Sequence, residues 1–170
     1  MTFTDYLLDS LLVALVILQL RESELTTKLL VRPLIIVGVA VMSYLHGIPS
    51  AGNDLVLTVA LGLLGSLIGF GSGAAAIMRV RSDGAVTVRA GWASAVLWVA
   101  GMGSRFAFVW WITHSGAHAL AGFSAAHAIT SGEAWTAGLL AMALCEVAGR
   151  TAVLAARRRH LQQTPAAAIA

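Results

Sequence analysis

The sequence predicts an all-α membrane protein, a bundle of about five transmembrane helices with its N-terminus outside and its C-terminus in the cytoplasm. Three observations lead there. Hydrophobic residues make up 58% of the chain and charged residues 11%, where a soluble domain carries roughly 25% charged residues. So few charges could not cover the apolar side chains of a small globule in water, whereas lipid accepts apolar surface all round a helix. Five apolar stretches approach or exceed the ~20 residues that a spanning helix needs, and the basic residues fall at alternate ends of those stretches.

The spans are expected at about 2–20, 29–47, 54–78, 91–112 and 133–156, one transmembrane domain over 1–156 followed by a short basic cytoplasmic tail, 157–170, whose segment after Arg159 is expected to be disordered. The first span is interrupted by Asp9 and Ser10. It reads as a retained helix, because Asp5 and Asp9 stand where a signal peptide would be basic and no small-residue cleavage pattern precedes Arg21-Glu22-Ser23-Glu24. The second carries Pro33 in its first turn, where a missing N–H costs little. The third repeats glycine at Gly65, Gly69 and Gly73, one side-chain-free face that another backbone can approach closely. Its partner is a neighbouring helix of the same bundle, or else a second copy or another membrane protein. Between the third and fourth spans, Asp83-Gly84 is a turn signal flanked by β-branched residues, which fits a surface hairpin or a plain connecting turn. The segment from Ser115 to Gly132 is rich in Ala, Ser and Gly and reads as a short outer helix or a mobile lid.

Charge sets the orientation. Arg21, Lys28 and Arg32, then Arg79, Arg81 and Arg89, then Arg150 and Arg157 to Arg159 all gather on one side, while loops 48–53 and 113–132 carry no Lys or Arg. The positive-inside rule makes the basic side cytoplasmic. Trp110, Trp111 and Trp135 fall at the outer boundary and Trp92 at the inner one, depths that suit amphipathic rings; Trp98 is expected inside the membrane. The net charge of +3 does not imply nucleic acid, since the basic residues flank apolar runs and do not line one soluble face. The single cysteine, Cys145, rules out an intramolecular disulfide and reads as a small buried apolar side chain.

Topology leaves Arg105 unexplained. A central arginine opposes insertion by about 2.5–3.5 kcal/mol and should find a partner inside the bundle. At 1.5 Å per residue, Arg105 lies about 21 Å from Gly91 and Glu146 about 16 Å from Arg157, so an Arg105–Glu146 pair between antiparallel helices is within side-chain reach. Arg150, at i+4 from Glu146, is a rival partner along the same helix, and Glu146 could bridge both. The cluster reads as structural, with anion binding or proton movement as the alternatives.

His46, His114, His118 and His127 map to the outer side. His114 and His118 stand at i, i+4, a spacing by which two imidazoles share a metal, and a mainly histidine set suits Zn, Cu or haem iron. The other reading is ordinary interfacial histidines. No nucleophile–base pair, nucleotide loop or protease signature stands in the sequence.

Several landmarks together resemble the CcdC-like family of small bacterial membrane proteins, in their actinobacterial form. They are Gln19-Leu20-Arg21-Glu22, Leu29-Leu30-Val31-Arg32-Pro33, Asp83-Gly84-Ala85-Val86-Thr87-Val88-Arg89, Leu97-Trp98-Val99 with Arg105, and Arg150-Thr151-Ala152-Val153-Leu154. The resemblance implies a plasma-membrane location, in-membrane arginines at 105 and 150, and a gene neighbourhood of cytochrome c maturation. It implies no activity, and the lack of Cys-x-x-Cys argues against thiol transfer. Three functions are then in play: a non-enzymatic accessory or structural subunit, which needs the fewest assumptions; a small transporter or anion-binding protein using Arg105; and an outer-face metal or haem protein.

Overall fold

The computed structural model describes residues 23–24, 31–32, 34–36, 38–39, 42, 50–81 and 85–163. The expected span 2–20 lies outside them, as do much of 29–47, His46, the Asp83-Gly84 turn and positions 164–170. The described positions from 31 to 42 are helical.

Three described helices are long and apolar enough to cross a membrane. The first, α1, is Asp54–Ala74. The second, α2, is Trp92–Trp111 and runs on through a π-turn, Ile112–Gly116, into α3, Ala117–Ala126. The last, α4, is Gly132–Gln163. At about 1.5 Å per residue α1 is about 31 Å long, close to the ~30 Å hydrocarbon core. Its packing is inverted relative to a soluble helix. Gly62, Gly65, Gly69, Ser72 and Gly73 are buried, while Leu55, Val56, Val59, Leu63, Leu64, Leu67 and Phe70 are exposed. Small residues inward and large apolar ones outward is the arrangement lipid selects.

The all-α expectation needs one addition. The third expected span was drawn to 78, but α1 stops at Ala74, and Ile77–Val80 forms a strand, β2, antiparallel to β3, Val86–Arg89. Ile77 and Met78 are apolar in either state, so hydropathy alone could not mark that boundary. Ser23–Glu24, β1, pairs with the other edge of β3, Ser23 opposite Val88 and Glu24 opposite Thr87. The sheet order is β1-β3-β2, which brings the two basic loops of the sequence together at one end of the bundle. Val86, Thr87 and Val88 are buried there, and Ala76, Val88 and Leu154 form a core with Met78 and Ala155 packed on it.

The tail after Arg159 is not, as expected, disordered from its start. It continues α4 as helix to Gln163, and the docked sheet explains why, since Leu154 and Ala155 beyond the end of α1 carry it.

The glycine face of α1 lies against α4. A Cβ on Gly65 would strike the carbonyl of Met142, one on Gly69 the carbonyl of Glu146, and one on Gly73 would lie 3.0 Å from Val153 Cβ. Within the chain this face is covered by α4.

At the other end, α3 turns back and does not continue outward. A straight helix would set Phe108 and Phe123 about 22 Å apart. Both rings reach Trp135, with centroids at 5.2 and 6.0 Å, and Trp135 Nε1 donates to Ser124 Oγ at 3.1 Å. The wide turn at 112–116 makes the bend: the bare Cα of Gly116 rests on the Trp111 ring, where a Cβ would enter it. Asn53 N then donates to Ala128 O at 2.9 Å, so the segment after α3 returns to the level where α1 begins. The Ala-rich stretch is thus a short helix lying along this end of the bundle.

Candidate functional site

The polar groups inside the bundle gather where α1, α2 and α4 meet. Ser94, Gly101 and Arg105 fall on one stripe of α2, and Glu146, Arg150 and Arg157 on one stripe of α4, by the spacing of a 3.6-residue helix. Arg105 Nη1 donates to Glu146 Oε2 at 2.7 Å, with side-chain exposures of 18% and 3%. The geometry follows from direction. Side chains tilt toward their own helix N-terminus, so on antiparallel helices Arg105 and Glu146 lean toward one another. Gly69 lets the Glu146 backbone approach α1, and Gly101 leaves room on α2 for the carboxylate.

The arrangement differs from a bridge of both arginines. Arg150 Nη1 donates to Ser94 Oγ at 2.9 Å, and Ser94 Oγ donates to Ser72 O at 2.8 Å. Arg150 still lies within Coulombic range of Glu146. Ser72 O is one of the last four carbonyls of α1, which no intrahelical N–H satisfies by itself. The others are also met. Ala75 N donates to Gly71 O at 2.9 Å. Arg157 Nη1 donates to Gly73 O and Ala74 O at 2.9 Å each and to Ala76 O at 2.8 Å. The last turn of α1 holds no basic residue of its own, so α4 supplies the cations that its negative dipole end favours. Among the described residues no buried side-chain nitrogen or oxygen lacks a partner.

The opposite end has a second polar junction. Asp54, 1% exposed, accepts from Thr130 N at 2.7 Å and Thr130 Oγ1 at 2.6 Å. Asn53 Nδ2 donates to His127 O at 2.9 Å. Gly52 (φ 52°) and Ala128 (φ 53°) are both left-handed, and a side chain on Gly52 would strike Ala128 O.

Among the described residues, His114 and His127 each turn to their own helix and not to one another. His114 Nδ1 lies 2.9 Å from Trp110 O with its ring stacked on Trp110, and His127 does the same with Phe123, at 2.9 Å. His118 is exposed. Among the described residues no group of three or more His, Cys, Asp or Glu could hold a metal ion; His46 is outside them. Cys145 is half-buried, facing Gly62.

No family model, curated protein or solved structure matches this chain. The site therefore stands on its own geometry. Of the residues singled out from sequence, Arg105 and Glu146 meet, Arg150 joins through Ser94, and Gly65, Gly69 and Gly73 form the α1–α4 seam. Sequence reasoning missed the Asp54–Thr130 junction and the capping by Arg157. The latter had a signal, because Arg157 continues the Glu146–Arg150 stripe at i+11, but ending the span at 156 hid it.

Proposed function

We propose that this chain is a five-span protein of the bacterial plasma membrane, N-terminus outside and C-terminus cytoplasmic, acting as a non-enzymatic accessory or structural subunit. The observation that carries the reading is where the buried cations go. Arg105 is engaged by Glu146 and Arg150 by Ser94, so each of these arginines makes a contact that joins two helices of the chain. The orientation rests on the sheet end, which holds Arg79, Arg81, Arg89 and Arg157, against an opposite end without Lys or Arg in 50–54 and 112–132. The resemblance to CcdC-like proteins adds the bacterial location and the family itself to the proposal. Two measurements test it: reporter fusions after positions 24, 52, 84, 130 and 163, expected to alternate with 24, 84 and 163 cytoplasmic, and identification of proteins co-purifying after gentle extraction. A fusion map without that alternation overturns the five-span topology, and recovery of the chain without any membrane partner overturns the accessory role.

A second reading has one observation behind it: Arg105 keeps 18% exposure while Glu146 keeps 3%. A small anion-binding or transport protein would use that open edge. Ligand-dependent thermal stabilisation that disappears in Arg105→Ala would favour it over the first.

A further inference from the structure

We propose that the groove between β2 and the last turns of α4 binds the head group of an anionic phospholipid. The groove encloses about 390 Å³ and is lined by Met78, Ala156, Arg157, His160 and Leu161. Met78, Ala156 and Leu161 give it apolar walls, Arg157 gives it a cationic edge, and the His160 imidazole lines it beside Arg157. Arg157 enters it with its guanidinium already held by the carbonyls of Gly73, Ala74 and Ala76, so binding orders no free side chain there.

Depth and charge choose the occupant. Arg157 marks the end of α1, where a bilayer-length helix leaves the hydrocarbon, and His160 and Leu161 lie one turn beyond, at the level of lipid phosphates. Residues assigned by sequence to this end include the basic Arg21, Lys28, Arg32, Arg79, Arg81, Arg89, Arg157, Arg158 and Arg159 against the acidic Glu22, Glu24 and Asp83. Basic pockets at the membrane boundary attract anionic head groups by about 1 kcal/mol per basic side chain. Apolar walls beside a cationic edge match a phosphate with acyl chains attached, which distinguishes a lipid from a soluble phosphate.

The test uses the full-length protein in a zwitterionic detergent, exposed to equimolar phosphatidylglycerol and phosphatidylcholine, with retained lipid counted by native mass spectrometry. The expected result is about fivefold or greater preference for phosphatidylglycerol, the ratio that about 1 kcal/mol gives. Ala156→Leu, which fills the groove, and His160→Gln, which leaves the capping bonds of Arg157 intact, should each reduce the preference while unfolding at the wild-type temperature without lipid. Equal retention of the two lipids overturns the proposal, as does a preference that both variants keep. Inorganic phosphate at matched concentration should give no thermal stabilisation; stabilisation equal to that by phosphatidylglycerol overturns the lipid assignment.

Discussion

Gly101 stands against the carboxylate of Glu146: a Cβ at position 101 would lie 2.7 Å from Oε1 and 2.9 Å from Oε2. The absence of a side chain on α2 is therefore part of how the acid reaches Arg105. Two residues along the same helix, a Cβ on Gly103 would meet nothing within 4 Å among the described residues. Gly101→Ala should destabilise by about 1–3 kcal/mol through overpacking, while Gly103→Ala should be neutral or stabilise by up to about 1 kcal/mol through helix propensity. Thermal unfolding in detergent compares the two, and equal effects would remove Gly101 from the site.

The Arg105–Glu146 pair should behave as a unit. Removing one member of a buried pair costs about 3–5 kcal/mol because the other is left charged and unpartnered. Arg105→Gln and Glu146→Gln should each lower stability and membrane abundance, and the double variant should lose less than the two combined. A cycle in which the losses simply add would show that the 2.7 Å contact contributes no coupling.

Along the α1–α4 seam, the penalty for a methyl group should follow what it meets. Gly65→Ala and Gly69→Ala drive a Cβ into backbone carbonyls, whereas at Gly73 the nearest atoms, Val153 Cβ and Arg150 O, stand off at 3.0 and 3.1 Å. Accumulation in the membrane, read by immunoblot against a co-expressed standard, should fall further for positions 65 and 69 than for 73. The reverse ranking would mean that α4 sits elsewhere.

The Asp54–Thr130 junction offers a graded test. Thr130→Val removes the hydroxyl bond and keeps the backbone one, at about 1 kcal/mol. Asp54→Ala removes both acceptors and also an acidic group at a helix N-terminus, at about 1–3 kcal/mol. Hydrogen exchange over 127–131 should rise in both variants, and more in Asp54→Ala.

Trp135 holds α3 against the bundle through Phe108, Phe123 and Ser124. Trp135→Leu should raise amide exchange in 117–126 while leaving 54–74 protected. Unchanged exchange in α3 would mean that the turn at 112–116 alone sets its direction.

What the sequence made legible were features whose cause is local or periodic. The four-residue glycine repeat named the face that α4 covers, and counting residues from each helix end brought Arg105 and Glu146 within side-chain reach. The Asp83-Gly84 signal anticipated the β2–β3 pairing, although the turn itself is outside the described residues. Features that depend on a distant partner stayed hidden. Nothing near Asp54 announces Thr130, and the pairing of Ser23 and Glu24 with β3 has no periodic trace in two residues. The end of α4 was misread for a different reason: three arginines end a membrane span, but they do not end a helix, and Leu154 still had a sheet to cover.

The cap that Arg157 places on α1 bears on the order in which the molecule is assembled. During synthesis α1 is made well before α4, so the carbonyls of Gly73, Ala74 and Ala76 must wait for a residue that leaves the ribosome only after α2 and α3. The glycine seam waits for the same helix. A chain cut short before Arg157 therefore lacks the guanidinium that meets the last carbonyls of α1.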